Sequence, residues 1–143
     1  MTEHYYSEKQ TSILRIKEIE TTLRGNNLKF HSGSGVFSIK KIDKGTKLLI
    51  EKCIIKPGQK ILDLGCGYGP IGIAIAKAFS TTFVLMTDIN ERAVKLSRMN
   101  LKLNKIWNIK AKKSNLYNNI KEKFDTMRIL DALDKVRTGI SVQ

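Results

Sequence analysis

Apolar positions recur along this chain with the periods of helices and of strands. In residues 13–30 the pattern fits both a helix and a pair of strands. One interpretation is a helix with Ile16, Ile19 and Leu23 on one face. The other is a β-hairpin that turns at Gly25-Asn26-Asn27, with apolar side chains alternating on either side of the turn. The hairpin is favoured because β-branched residues flank a turn signal.

The next apolar pattern predicts a helix that begins at Gly45-Thr46. Threonine is a good N-cap, since its hydroxyl can accept a hydrogen bond from an unpaired N–H group of the first turn. Within this helix, Leu48, Leu49 and Cys53 are expected to face inward.

From residue 57 onward, apolar stretches of strand and helix length alternate. Pro57 and Gly58 make a clean break. Residues 61–64 then predict a strand, and the alanine- and isoleucine-rich residues 71–79 predict a helix packed on a sheet. Residues 83–86 are typical of a buried parallel strand.

Residues 91–103 predict a further helix, which we expect to end with Asn104 at its C′ position. Its expected core positions are Ala93, Leu96, Met99 and Leu103. Residues 106–111 predict a third strand. Strands that alternate with helices define the α/β class with a parallel, Rossmann-like sheet, and we expect helices on both faces of the sheet. We expect one domain, in which an arm, a hairpin and a helix (residues 1–55) precede a cofactor-binding core (residues 56–143).

The charge balance adds a candidate partner. The 143 residues carry a formal net charge of +13, and the pI is about 9.9. Such an excess points to a polyanion, with RNA as the first candidate, although simple solubility is the alternative. An outer stripe of the residue 91–103 helix and its exit is basic: Arg92, Lys95, Arg98, Lys102 and Lys105. A solvated face is the plainer interpretation of this stripe, and neutralisation of RNA phosphates is the alternative. For Trp107, partly buried packing is favoured over stacking on a base.

The cysteines and histidines limit the disulfide bonds and metal sites that can be predicted. Cys53 and Cys66 are too few and too differently placed for a disulfide framework, so we expect a reducing cytoplasm. His4 and His31 lie far apart without cysteine or acidic neighbours, so no metal site is predicted. We expect neither a transmembrane segment nor a signal peptide.

The candidate chemistry lies in residues 61–73, where a short strand passes through closely spaced glycines into a helix. This pattern is typical of a nucleotide cofactor site. Asp63 would repel a pyrophosphate held by the same loop but suits a ligand with an ammonium group. Asp88 ends the next strand, where a ribose-binding acid is expected. The two acids favour S-adenosylmethionine (SAM) over NAD, and an NAD-dependent oxidoreductase is the weaker alternative.

Residues 63–69 (DLGCGYG) resemble motif I of class I SAM-dependent methyltransferases, and residues 87–90 (TDIN) resemble their motif II. Residues 35–38 and 43–49 resemble the segment ahead of motif I in the small-domain methyltransferases of ribosomal RNA guanine N2. Residues 114–117 and 124–125 resemble a later segment of the same family. The resemblance implies SAM as cofactor and ribosomal RNA as substrate. It assigns the cofactor to Asp63, Gly65, Cys66, Gly67, Gly69, Asp88, Ile89 and Asn115.

The resemblance weakens at two places. The family usually has an aspartate where this chain has Asn115, so a charge near the adenine is lost. In the family, an Asn-Pro-Pro-aromatic loop follows the fourth strand and holds the amine to be methylated. This sequence lacks that segment, so no catalytic residue is assigned. We therefore expect a C-terminally truncated fold, self-association through an unpaired sheet edge, and either a methyltransferase or a non-catalytic SAM- or RNA-binding remnant.

Overall fold

The structure is a computed structural model and describes residues 16–33, 42 and 44–114. These residues form an antiparallel hairpin and a three-stranded parallel sheet with three helices. In chain order the elements are β1 (Ile16–Leu23), β2 (Asn26–Gly33), α1 (Lys44–Lys52), β3 (Lys60–Leu64), α2 (Pro70–Ala78), β4 (Phe83–Asp88), α3 (Glu91–Leu103) and β5 (Ile109–Lys113).

The hairpin prediction is confirmed, and the helix alternative for this stretch is wrong. Strands β1 and β2 pair from Ile16 opposite Gly33 to Leu23 opposite Asn26. The turn lies at Arg24 and Gly25, one residue earlier than expected. Both turn residues have positive φ angles, 47° and 79°. This two-residue turn matches the right-handed twist of the strands, which is why the following asparagines belong to β2.

Arg24 fixes the hairpin to the rest of the domain. Its Nη1 donates to the carbonyl oxygens of Ile50 at 3.1 Å, Glu51 at 3.0 Å and Cys53 at 3.2 Å. These carbonyls lie at the C-terminal end of α1, where no helical N–H groups remain to pair with them. The guanidinium also lies 4.6 Å from the ring centroid of Phe79. One side chain therefore joins the hairpin to both α1 and the residue after α2.

Helix α1 begins before the predicted residues and faces the core differently. Thr46 lies inside the helix and is buried, so the N-cap prediction is wrong. Leu48 is exposed and Ile50 is buried in its place. The buried positions 46, 49, 50 and 53 follow the i, i+3, i+4, i+7 spacing of one helical face, which excludes Leu48.

The central sheet has the order β3-β4-β5, with Ile61 opposite Val84 and Val84 opposite Ile109. The predicted parallel α/β sheet is confirmed. One face packs against the hairpin and the described helices in a single core, whereas Leu62, Leu64 and Leu85 form a smaller cluster on the other face. Within the described strands, β3 and β5 each have one paired neighbour, so self-association through a sheet edge stays a prediction.

Helix α3 has the predicted bounds but a more polar inner face. Ala93 and Leu96 are buried as expected, whereas Met99 is 43% exposed and Leu103 is 40% exposed. Ser97 and Asn100 are buried instead. Residues 93, 96, 97 and 100 share one face of a helix, and the two polar members point inward because they bond to backbone groups.

The end of α3 shifts the next strand. Asn104 is the C-cap itself, and Lys105 follows it with a positive φ of 55°. The N–H of Ile106 then donates to the carbonyl of Leu101 at 3.1 Å. Strand β5 therefore begins at Ile109, three residues later than predicted. In the part of the chain that the structure describes, no helix has the length and apolar character needed to cross a membrane.

Candidate cofactor site

The carboxyl ends of β3 and β4 lie side by side, and the glycine loop (residues 65–69) leaves the sheet there. Gly65, Gly67 and Gly69 have φ angles of 67°, 60° and 100°. L-residues with a Cβ rarely adopt this left-handed region, so the loop depends on glycine. The N–H of Cys66 donates to the carbonyl of Thr87 at 2.9 Å, which holds the loop against the end of β4.

Two glycines let α2 begin very close to the sheet. A Cβ at Gly72 would lie 2.7 Å from Cγ of Met86 and 3.1 Å from Oδ2 of Asp63. A Cβ at Gly69 would lie 3.0 Å from Cδ1 of Ile73. Gly72 is thus required for close helix–strand packing, the role of the last glycine in dinucleotide-type loops.

Asp63 is a buried carboxylate, and one of its two oxygens lacks a hydrogen-bond donor among the described residues. The residue is 1% exposed, and Oδ2 accepts a bond from the N–H of Gly72 at 3.1 Å. Among the described residues, none donates to Oδ1. Burial raises the pKa of Asp63 to about 7, with the Gly72 bond opposing this rise and the charge of Asp88 adding to it. Such a group favours a cationic partner, which would restore its ionised form.

Asp88 closes the other side of the site. Its Oδ2 accepts a bond from the N–H of Gly67 at 3.0 Å, and its Oδ1 accepts one from the N–H of Asn90 at 2.9 Å. Burial raises its pKa, and these bonds and one from Ile89 oppose the rise. Each carboxylate oxygen has two lone pairs, so Asp88 can hold the loop and still accept a hydroxyl.

Cys66 faces α3. Burial raises the pKa of its thiol well above the ordinary range, and the charges of Asp63 and Asp88 act in the same direction. Its Sγ lies 3.4 Å from Oγ of Ser97. Since the thiolate is the nucleophilic form, Cys66 fits a packing role beside the cofactor.

Sequence reasoning missed two supports of the loop on α3. The hydroxyl of Ser97 donates to the carbonyl of Gly67 at 2.8 Å. Asn100 Nδ2 donates to the carbonyl of Tyr68 at 2.7 Å and to that of His31 at 2.9 Å, and its Oδ1 accepts from the N–H of His31 at 2.7 Å. The sequence contains a signal for these supports. Ser97 and Asn100 are polar residues three apart on an apolar helix face, and such residues need hydrogen-bond partners when they are buried.

The hairpin backs the same loop. The rings of Phe30 in β2 and Tyr68 pack edge to face, with centroids 5.9 Å apart. Asn100 of α3 also binds backbone groups of both the hairpin and the glycine loop. The first segment of the chain and the predicted core share one hydrophobic cluster.

The predicted cofactor residues divide into three groups. Asp63, Cys66, Gly67, Gly69 and Asp88 lie together at the carboxyl ends of β3 and β4. Gly65 is exposed at the start of the loop, and Ile89 is half-buried beside Asp88. Asn115 lies outside the described residues. The acidic pair fits SAM, since the Asp63 oxygen that lacks a donor among the described residues suits an ammonium and Asp88 suits a ribose.

The basic stripe and Trp107 lie on the surface. Four of the five stripe residues are exposed and Arg92 is half-buried. Arg98 also donates from Nε and Nη2 to the carbonyl of Ala111, at 3.2 and 3.0 Å. Trp107 is 89% exposed, so the packing interpretation of this residue is wrong. Ile106 is buried there instead, because the left-handed Lys105 turns the chain by one residue.

A parallel sheet with a glycine loop between two acid-bearing strand ends defines a Rossmann-like, class I methyltransferase fold. The chain belongs to the methyltransferase small domain family, whose model matches residues 27–129. Family and fold indicate SAM, rather than a dinucleotide, as the cofactor.

The chain is similar to two curated proteins. The chain is 45% identical over 123 residues to the uncharacterized protein YbxB of Bacillus subtilis, covering 84% of this chain and 60% of that protein. It is 41% identical over 100 residues to ribosomal RNA small subunit methyltransferase C of Buchnera aphidicola, covering 70% of this chain and 29% of that protein. The chain thus spans 60% of one of these relatives and less than a third of the other.

Among solved structures, the fold is similar to that of the Thermus thermophilus 16S rRNA N2 G1207 methyltransferase (RsmC) in complex with AdoMet and guanosine. The TM-score is 0.69 at 25% identity, over 81% of this chain and 32% of that one. A tRNA (uracil-54, C5)-methyltransferase from Pyrococcus abyssi gives a TM-score of 0.59 at 24% identity, over 77% of this chain and 27% of that one.

Proposed function

We propose that this chain binds SAM and belongs to a methyltransferase that acts on the guanine N2 amine of small-subunit ribosomal RNA. The observation that carries the proposal is the buried Asp63 carboxylate at the glycine loop, whose Oδ1 lacks a donor among the described residues. SAM carries an ammonium group on its methionine chain and hydroxyls on its ribose, and Asp63 and Asp88 offer acceptors for these groups at neighbouring strand ends.

Each side chain has a distinct task in this proposal. Asp63 receives the ammonium of the methionine moiety, and Asp88 receives the ribose hydroxyls. The glycine loop lets the cofactor approach the backbone closely. Asn115 is proposed to lie near the adenine. When bound, SAM supplies a methyl group activated by its sulfonium.

The substrate is proposed from two kinds of support. One curated relative is a ribosomal RNA small subunit methyltransferase, and one solved neighbour is a 16S rRNA N2 G1207 methyltransferase. The net charge of +13 suits a polyanion, and the exposed members of the basic stripe offer phosphate contacts. The two cysteines in the described part of the chain are buried free thiols, which supports a reducing compartment, and we propose the cytoplasm.

A non-catalytic SAM- and RNA-binding role is the second candidate. The observation that favours it is the sequence itself, whose two prolines, Pro57 and Pro70, cannot form an Asn-Pro-Pro segment. The two candidates share cofactor binding and differ in whether the amine to be methylated is held in line with the methyl group.

Calorimetric titration of the 143-residue chain with SAM tests the shared part. Saturable binding that is weakened in Asp88→Ala supports the site, whereas a folded protein that does not bind SAM contradicts it. Transfer of labelled methyl from SAM to small-subunit ribosomal RNA then separates the candidates. Label recovered as N2-methylguanine supports the enzyme, and binding without transfer supports the non-catalytic role.

A further inference from the structure

The most exposed large apolar side chain in the described residues is Trp107, and the cofactor site does not use it. It is the single tryptophan of the chain. Trp107 precedes β5, whereas the cofactor site lies where β3 and β4 end. Because the strands are parallel, Trp107 lies at the edge of the sheet where the strands begin, and the cofactor site lies at the edge where they end. The two are separated by about 17 Å for a five-residue strand.

Three exposed lysines share this edge. Lys77 is in the last turn of α2, Lys102 is in the last turn of α3, and Lys105 follows α3. We call Trp107 and these lysines the Trp107 surface.

Asn108 gathers these elements around the tryptophan. Its Nδ2 donates to the carbonyls of Ala76 at 3.1 Å and Thr82 at 2.9 Å, which brings the end of α2 next to the residue after Trp107. The N–H of Lys105 donates to the carbonyl of Lys102 at 3.0 Å, which draws the end of α3 to the same place. The surface therefore rests on two helix ends fixed by hydrogen bonds.

The electrostatics of this edge favour an anion. Residues 76–87 and 92–114 contain no acidic residue. Helix C-termini carry partial negative charge, which opposes an anion. Here, however, side-chain and backbone donors cover the last carbonyls, as when Asn104 Nδ2 donates to the carbonyl of Asn100 at 2.8 Å. The lysine charges thus remain the main feature that a ligand meets.

We propose that the Trp107 surface binds a single-stranded segment of RNA, with an unpaired base stacked on the indole and its phosphates near the lysines. An exposed aromatic ring among cations is the arrangement by which proteins hold unpaired bases. A protein partner would need acidic groups to match the lysines, and a paired duplex offers no free base face. The inference rests on the proposed RNA substrate and adds an anchoring site away from the methylated nucleotide.

Fluorescence gives a direct test because all tryptophan emission comes from this one residue. Titration with a mixed-sequence single-stranded RNA oligonucleotide is expected to quench the emission, and anisotropy of the labelled RNA reports total binding. Trp107→Ala is expected to weaken RNA binding about 5- to 140-fold, and Trp107→Phe is expected to retain most of the affinity because the ring is kept.

Matched variants separate this surface from general charge. Lys77→Ala with Lys102→Ala is expected to flatten the dependence of log K on log salt by about 1.4, at about 0.7 for each phosphate that is no longer neutralised. Lys47→Ala with Lys52→Ala removes two exposed charges from α1 and is expected to leave the affinity nearly unchanged. Ile54→Ala is the control for removal of an exposed apolar side chain.

Each outcome decides the inference. RNA binding without quenching, or unchanged binding by Trp107→Ala, overturns the Trp107 surface while leaving RNA as the proposed substrate. Equal quenching by the matched duplex overturns the single-strand assignment. If the wild-type chain binds SAM but no RNA, the proposed substrate and this surface both fail. SAM titrations of Trp107→Ala show that the variant is folded, because its cofactor site lies at the opposite edge.

Discussion

Asp63→Asn is the sharpest test of the cofactor site, because it removes one charge and keeps the shape. An asparagine oxygen can still accept the Gly72 N–H bond that Asp63 Oδ2 accepts at 3.1 Å. The substitution removes the anion that faces the proposed ammonium. A hydrogen bond to a charged group contributes about 1.5–3 kcal/mol, so SAM affinity at pH 8 is expected to fall roughly 10- to 100-fold.

The pH dependence follows from the raised pKa of Asp63, about 7. The ionised fraction grows about tenfold between pH 6 and pH 8 for such a group. Wild-type affinity for SAM is therefore expected to rise about tenfold over that interval relative to Asp63→Asn. The ammonium of SAM titrates in both proteins, so the ratio of the two affinities isolates Asp63.

Stability without ligand should change in the opposite direction. The native pKa of about 7 lies above the unfolded value of 3.8, so the native state holds the proton more tightly. The stabilising contribution of protonated Asp63 is complete below pH 4 and is lost as the pH rises toward 7 and above. This loss is on the order of 4 kcal/mol at most. Asp63→Asn should lack this decline in the free energy of unfolding.

Calorimetry at several pH values measures the affinities, and chemical denaturation of the ligand-free proteins measures the stabilities. A wild-type to variant affinity ratio that stays constant from pH 6 to pH 8 would refute the proposed pairing of Asp63 with an ammonium. A flat stability difference over the same range would refute the raised pKa itself. The two outcomes are independent, since calorimetry reports the contact between Asp63 and the ligand, whereas denaturation reports the effect of burying Asp63.

Three further changes test other parts of the structure. Asp88→Ala should weaken SAM binding by at least ~1 kcal/mol in calorimetry, and an unchanged affinity would remove it from the site. Gly72→Ala should lower the free energy of unfolding by about 1–3 kcal/mol because its Cβ would lie 2.7 Å from Met86 Cγ. Met86→Ala added to the Gly72→Ala variant should relieve part of that destabilisation. An unshifted denaturation midpoint for Gly72→Ala alone would contradict the close packing of Gly72 against Met86. Arg24→Gly keeps the left-handed turn but removes three hydrogen bonds to carbonyl oxygens. The free energy of unfolding should therefore fall by about 1–3 kcal/mol. A denaturation midpoint equal to that of the wild type would show that these bonds contribute little.

Local chemistry could be predicted well from the sequence. Closely spaced glycines, the acid before them and the acid at the next strand end predicted the cofactor site, because these residue types meet local backbone and charge requirements. The bounds of α3 followed from its periodicity. The structure adds the N-cap Asn90, whose side chain accepts from the N–H groups of Arg92 and Ala93. The resemblance placed the chain in the correct family before any tertiary neighbour was known.

Contacts between distant segments depend on the tertiary structure. The predicted inward faces of α1 and α3 were wrong in part, because a helix pattern sets its period while the neighbouring elements select which stripe is buried. Asn100 joins the hairpin and the glycine loop because both pack against α3. Trp107 is exposed because the left-handed Lys105 turns Ile106 inward. A sequence predicts which residues can make such contacts, but only the packed fold brings their partners within reach.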